Sequence, residues 1–425
     1  MGHDEEIPGG RFGRFAKLAR AGARVGAGAL LKRDSDAAVR KAAEALGTLR
    51  GVAAKVGQMA AYVDGLVPEE QRAAHEKWMS RLMAATPHSS PSAVRTIIEE
   101  ELGASPESLF ARFDEVPMAS ASIGQVHRAR LHDGREVVVK VQHHGVAEAV
   151  AADLANAGLI ERTVNLTGVT SKFGTKRIYE QIRARFLEEL DYDLEAERQR
   201  HFAELHRDHP RILVPAVIDD RSAKRVLTSE LATGLTLDEA GAAPLADRVA
   251  WAETLWRFVF KGTLVGGVFN ADPHPRNYYF APDGRVWFLD FGCVQMLDAA
   301  HREYATQMHW AAISRDPAAF DDGVRGLLEL RGGTYEDRAL AYVRDAFKPL
   351  SESPFRIERP YVANLVQSFR DIGRHAVKEK DDEFVPIPDG MFFMNRLQFG
   401  FYSVLARLDC AVDFAEVERG FLPPP

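Results

Sequence analysis

From Phe113 onward the apolar residues stop recurring at helical spacing, and the chain reads as strand-like runs: VPMAS, GQVHRARL, the turn His132-Asp133-Gly134, then REVVVKVQ. Asp-Gly between two alternating runs is a strong hairpin signal, because glycine takes a left-handed turn conformation without steric cost. A helical stretch follows through Arg200. RILVPAVI and RVLTSEL then read as two more strands about the polar turn Asp219-Asp220-Arg221-Ser222. Five strands with one helical insertion make a small sheet lobe. Beyond Gly234 the text is mainly helical, except that NYYF and RVWFLDFG form a second hairpin pattern across Pro282-Asp283-Gly284. The expected fold class is α+β, with a small sheet lobe, a larger helical lobe and a cleft between them.

Composition narrows the class further. The chain has 425 residues, 54 Lys+Arg against 61 Asp+Glu, 46% apolar and 27% charged residues. That is the balance of an ordinary globular protein, not of a disordered or collagen-like chain. Cys293 and Cys410 are the only cysteines, so a disulfide framework is excluded and a reducing, cytoplasmic setting is expected. No secretory leader pattern and no uncharged apolar window of about 18 residues stands out. The mild acidity argues against a nucleic-acid binder. Residues 11–33, in contrast, carry seven Lys/Arg and no acid, with Phe12, Phe15, Leu18, Val25, Leu30 and Leu31 between them. Such a basic amphipathic segment suits a peripheral contact with an anionic membrane surface. A solvated, frayed helix weakened by Gly13, Gly22, Gly26 and Gly28 is the alternative. MFFMNRLQFGFYSVLARL (391–408) has apolar residues at helical spacing and reads as a buried core helix.

The chemistry-bearing residues surround the second hairpin. Phosphoryl transfer needs a metal clamp, a cation on the phosphates and a placed nucleophile, and little covalent chemistry from the protein. D-x-x-x-x-N at Asp272 and Asn277 puts a carboxylate and an amide oxygen on one loop, to serve the nucleophile and a metal respectively. Asp290 of Asp290-Phe291-Gly292 adds a second metal carboxylate. Oxygen ligands are what Mg²⁺ requires. In V-V-V-K, Lys140 projects from a strand as a fixed ammonium for the α and β phosphates of ATP or ADP, and Glu189 in the helical insertion is the acid expected to orient it. Strand-borne Lys, D-x-x-x-x-N, hairpin, then D-F-G is the protein-kinase order, so the lobes are expected to form a two-lobed protein-kinase-like fold. Two usual kinase features are missing: there is no G-x-G-x-x-G between the first strands and no A-P-E after D-F-G. Alanine cannot reach positive φ cheaply, so phosphate grip is expected to differ from that of ordinary protein kinases.

These residues together resemble the UbiB/ADCK (AarF-domain) atypical kinase-like family. Arg50 to Gln58 (RGVAAKVGQ) is similar to its K-x-G-Q signature, and Pro117 to Val126 to its Ala-rich nucleotide loop. Lys140 matches its strand lysine, Glu189-Leu190-Asp191 its E-x-D element, and Asp272 to Asn277 with Asp290-Phe291-Gly292 its catalytic and metal loops. The resemblance implies four segments: a basic, partly flexible 1–45, a K-x-G-Q helical extension 46–105, an N-lobe 106–234 and a helical C-lobe 235–425. It implies nucleotide contacts from Ala119, Ala121, Ser122, Gly124, Lys140 and Glu230. It also implies a gate in which Lys55 and Gln58 lie near Glu189 and Asp191. Family members support ubiquinone and related isoprenoid-lipid synthesis at membranes. The chain departs from the family pattern at Asn270 for His, Arg276 for Gly, Arg198 for Asn and Ser120 within the Ala run.

Two other readings use the same residues: a catalytically idle, nucleotide-gated module that binds lipid or protein, and a small-molecule phosphotransferase of the aminoglycoside or choline type. His143 and His144 read as turn residues, and His274 as a brace of the Asp272 loop. The membrane reading of 11–33 has a direct measure. The full chain is expected to float with anionic liposomes at low salt and to stay in the soluble fraction once 11–33 is deleted; a full chain that never floats would end that reading.

Overall fold

Ser90-Pro91 begins a helix by ordinary capping chemistry. The Ser90 hydroxyl accepts from Ala93 N, Pro91 fills the first turn, and Gly103 at φ 72° closes the other end. Val94, Ile97 and Ile98 fall on one face of this α1 (Pro91–Leu102) and are buried. The computed structural model describes residues 89–120, 123–151, 180, 183–185, 187–378 and 391–423. These divide into two compact units, one of residues up to Ala196 with Val217–Leu231, the other of Glu197–Ala216 with the residues from Ala232 on.

In the first unit the single-turn α2 (Pro106–Leu109) leads to β1 (Arg112–Phe113), β2 (Ala119–Ser120), β3 (Gly124–Arg130) and β4 (Glu136–Gln142). Helix α3 (Tyr192–Leu205) and β5 (Ile212–Leu213) come next in the chain, and β6 (Val226–Glu230) completes the sheet. The strand order is β1-β3-β4-β6, with β2 also paired to β3. The His132-Asp133-Gly134 turn joins β3 to β4 as the sequence predicts, with Gly134 at φ 91°. Alternation along β4 sends Val137, Val139 and Val141 into a core shared with α1, and Lys140 to the opposite face.

One expected strand belongs elsewhere. RILVPAVI contributes the two-residue β5, which pairs in parallel with β9 (Val286–Phe288) of the second unit, and reaches the sheet of β4 only through the isolated antiparallel bridge of Val217 to Ser229 in β6. Pro215 has no N–H to offer a ladder, and its carbonyl is taken by the Gln199 side chain at 2.6 Å. The turn at Asp219 is a short 3₁₀ helix, Asp219–Arg221.

The second unit is built on α5 (Leu245–Leu264), preceded by the short α4 (Leu237–Gly241). Trp251, Leu255, Trp256, Phe258 and Val259 of α5 are all buried. Around it lie β7 (Val268–Asn270), β8 (Tyr278–Phe280), β9 and β10 (Val294–Met296), then α6 (Ala299–Ser314), α7 (Pro317–Leu328), α8 (Gly333–Ala346), α9 (Lys348–Ser351), α10 (Arg359–Lys378), α11 (Met391–Leu408) and α12 (Phe414–Arg419). The β8–β9 hairpin turns through Asp283 and Gly284, both at positive φ, and α11 is the core helix read from its spacing.

An aromatic stack ties α3 to α5 and β9. Phe258 lies 3.7 Å from Phe288 between ring centroids, Phe202 5.4 Å from Phe258, and His206 4.8 Å from Phe258. His206 is buried, neither ring nitrogen has a hydrogen-bond partner among the described residues, and desolvation pushes its pKa from 6.5 down to about 3. His209 is lowered to about 4 for the same first reason. The unfolded chain therefore takes up protons at pH values where the folded chain does not, and stability is lost as pH falls from about 6.5 toward 3, at up to ~1.4 kcal/mol per pH unit for His206. Urea unfolding at several pH values checks this: His206→Phe is expected to reduce the slope, and an unaltered slope would remove His206 as its source.

Candidate functional site

Lys140 is positioned by β4 and by the chain that lies against its face. Gln142, two residues on and therefore on the same face, donates from Nε2 to Leu190 O at 2.9 Å, and Tyr192 N donates to Lys224 O at 3.0 Å. These bonds pin the start of α3. The helix then presents Tyr192, Glu195, Ala196 and Gln199 as a buried stripe at i, i+3, i+4 and i+7. Lys140 Nζ donates to both carboxylate oxygens of Glu195, at 2.7 and 2.8 Å, and lies 4.9 Å from the centre of the Tyr192 ring.

The place assigned from sequence to Glu189 is thus taken by Glu195. Glu189 lies in the turn before α3 and is buried there, whereas Glu195 sits inside the first turns on the face toward β4. The missed signal was the amphipathic stripe itself, in which Glu195 is the acid among the buried positions. Asp191 caps the same helix, its Oδ1 accepting from Leu194 N at 3.2 Å, with Lys224 4.0 Å from its other oxygen.

In the second unit, a second group of side chains is held mainly by backbone. Asn277 closes a short 3₁₀ turn, Pro275–Asn277, and donates from Nδ2 to Asp272 O at 3.0 Å and to Asp272 Oδ2 at 3.2 Å. His274 braces this loop: its Nδ1 accepts from Arg276 N at 3.1 Å. Asn270 links the loop to D-F-G, accepting from Asp272 N at 3.0 Å and donating to Asp290 O at 2.8 Å. Asp290 has φ 59°, and its Oδ1 accepts from Gly292 N at 3.2 Å. Below the loop, a Cβ on Gly400 of α11 would come within 2.4 Å of Pro273 Cγ, so only glycine lets the helix pass this close.

The remaining predicted residues fall as follows. Ala119 lies in β2, opposite Val126, and Glu230 at the exposed end of β6, opposite Val137. Gly124 begins β3, where a Cβ would meet Tyr192 Oη and Val141 O at 2.6 Å each. Ala121, Ser122, Lys55 and Gln58 lie outside the described residues. His143 is more than a turn residue: it is buried and its Nδ1 is 2.8 Å from Ser89 Oγ.

The donor set fits a hard cation. With Asn277 Nδ2 committed to Asp272, its amide oxygen is the atom it has left for a metal, and the Asp290 carboxylate is the second oxygen donor that the D-F-G turn supplies. Among the described residues there is no group of three His, Cys, Asp or Glu that would enclose a metal. Mg²⁺ needs no such cage, since it takes one or two protein oxygens together with phosphate oxygens and water.

Comparison with known proteins gives this geometry relatives. Residues 81–322 match the ABC1 atypical kinase-like domain. An uncharacterized protein of Mycobacterium tuberculosis is 36% identical over 244 residues, which span 56% of this chain and 50% of that protein, about half the relative's length. The mitochondrial atypical kinase COQ8 of Saccharomyces cerevisiae is 26% identical over 395 residues, 90% of this chain and 76% of that one. Among solved structures, a Mycobacterium tuberculosis protein in complex with erythromycin superposes with a TM-score of 0.61 at 26% identity, over 87% of this chain and 92% of that one.

The Lys140–Glu195 pair has a measurable signature. The side chains are 18% and 4% exposed, so removing one member leaves a poorly solvated charge. Glu195→Ala is expected to cost about 2–3 kcal/mol in urea unfolding, and Lys140→Met combined with Glu195→Ala clearly less than the sum of the single changes. Additive losses would mean that the two do not act as a pair.

Proposed function

The chain belongs to the ABC1 atypical kinase-like family, and on that premise we propose that it is a Mg²⁺-dependent enzyme that uses ATP, as an ATPase or phosphotransferase. Lys140 holds the α and β phosphates, and Glu195 fixes the ammonium on its strand. Asn277 and Asp290 hold the metal. Asp272, oriented by the Asn277 amide, positions the attacking hydroxyl or water and accepts its proton. When bound, Mg²⁺ would supply charge stabilisation to the phosphoryl group being transferred.

The observation that carries this reading is the Lys140–Glu195 contact. A buried ion pair contributes little net stability, and apolar residues in its place often do as well or better. A lysine held by a bidentate carboxylate beside an aromatic ring is therefore better explained by a ligand than by folding. The supporting pattern is the Asp272, Asn277 and Asp290 set, whose oxygens suit a hard cation and whose order along the chain is that of kinases.

We further propose that the reaction serves isoprenoid-quinone or related lipid metabolism at a membrane surface. Support comes from similarity to COQ8 and from the basic amphipathic composition of residues 11–33. No helix among the described residues is long and apolar enough to cross a membrane.

Thermal unfolding with ATP, with and without Mg²⁺, tests the proposal. The parent chain is expected to gain Tm with Mg²⁺ and ATP together, and Asp290→Asn to lose the Mg²⁺-dependent part. An unchanged shift in the variant would take the metal role from Asp290. Phosphate release above background separates an ATPase from an idle nucleotide-binding module.

A further inference from the structure

Asp290 holds a left-handed backbone conformation, φ 59°, which aspartate adopts more readily than most residues with a Cβ, and several contacts hold it there. Asn270 Nδ2 reaches Asp290 O, and Gly292 N reaches Asp290 Oδ1. The next two residues are gripped by α3. Phe291 is fully buried, with its ring 5.1 Å from that of Phe202, and Arg198 Nη1 donates to Gly292 O at 3.1 Å. Arg198 and Phe202 are four residues apart, hence on one face of the helix. Beyond the turn the ladder takes over: Ala271 N donates to Cys293 O at 2.8 Å, and Val294 pairs with Asn270 in the β7–β10 sheet. The segment from Asp290 to Gly292 is thus the part that strand pairing does not fix.

We propose that Arg198 is a positioning residue that holds the D-F-G turn from helix α3, so that the Asp290 carboxylate is presented in a fixed orientation. The donor is an ionised group aimed at a carbonyl, a stronger hold than a neutral amide at the same place gives. The consequence for metal affinity rests on the nucleotide reading above; the hold on the turn does not.

The test uses the full chain with Arg198→Met, which keeps an unbranched apolar stem and removes the donors, and Arg198→Lys, which keeps a cation. Without nucleotide, amide hydrogen exchange at Gly292 is expected to quicken about tenfold in Arg198→Met and less in Arg198→Lys, with Phe280 and Leu289 unchanged. Unchanged exchange at Gly292 would overturn the proposal whatever the ligand. If Arg198→Met does not fold, the same measurement on Arg198→Lys decides. With ATP, half of the Mg²⁺-dependent rise in Tm should require about tenfold more Mg²⁺ in Arg198→Met, while the shift without Mg²⁺ stays the same. A parent chain that gives no Mg²⁺-dependent rise would refute the nucleotide reading and the metal consequence, and leave the hold on the turn to the exchange result.

Discussion

The ammonium of Lys140 lies largely out of water on the face of β4 opposite the valine core, and the surrounding structure must compensate for that. Desolvating an ammonium costs several kcal/mol even after relaxation, and the attraction of one carboxylate recovers it only when the geometry is tight. Here it is tight because two backbone carbonyls, Leu190 O and Lys224 O, are occupied by Gln142 and Tyr192 before α3 begins. The helix cannot slide along the strand without breaking those bonds. Its first turns therefore deliver Tyr192 and Glu195 together, one as a ring face and one as a bidentate acceptor. Gly124 belongs to the same constraint, since any side chain there would collide with Tyr192 Oη and Val141 O.

The loops of the second unit use a different economy. Little of their order comes from ladders: β7, β8, β9 and β10 are three residues each. Asn270, Asn277, His274 and Arg198 instead tie backbone groups across gaps that strands do not cover. Such bonds contribute modestly each, about 1 kcal/mol for neutral donors and more for charged ones. Their value lies in direction, because Asn270 and Asn277 each fix the peptide plane next to a carboxylate, that of Asp290 and of Asp272, and Arg198 fixes the plane that ends the D-F-G turn.

Much of this was legible in the sequence, for identifiable reasons. Both hairpins announced themselves through Asp-Gly turns, which demand positive φ, and α11 through apolar spacing over its whole length. Lys140, Asp272, Asn277 and Asp290 can be read as a kinase order because phosphoryl-transfer chemistry, where it occurs, dictates residue type. The partner of Lys140 was not legible. Glu189, Glu195 and Glu197 are equivalent as acids, and only the start of the helix decides which of them faces the strand. Likewise RILVPAVI has the composition of a full strand, yet it is interrupted at Pro215, whose carbonyl goes to Gln199, which leaves β5 before it and the single Val217–Ser229 bridge after it.

The side chains that support the D-F-G segment bear on how such a site tolerates change. Asn270 and Arg198 differ from each other in size and charge, yet each ends on a carbonyl of the D-F-G segment, Asp290 O and Gly292 O. A carbonyl accepts from an amide, an imidazole or a guanidinium with similar distance and broad angular tolerance. Supports that act on backbone acceptors can therefore be exchanged among donor types, whereas Asp290, Asn277 and Lys140, in the roles proposed for them, would act through their own oxygens or nitrogen and would have no such freedom. On this reasoning, substitutions around the loops change how firmly the carboxylates are held, and the proposed chemistry would depend on Lys140, Asp272, Asn277 and Asp290 themselves.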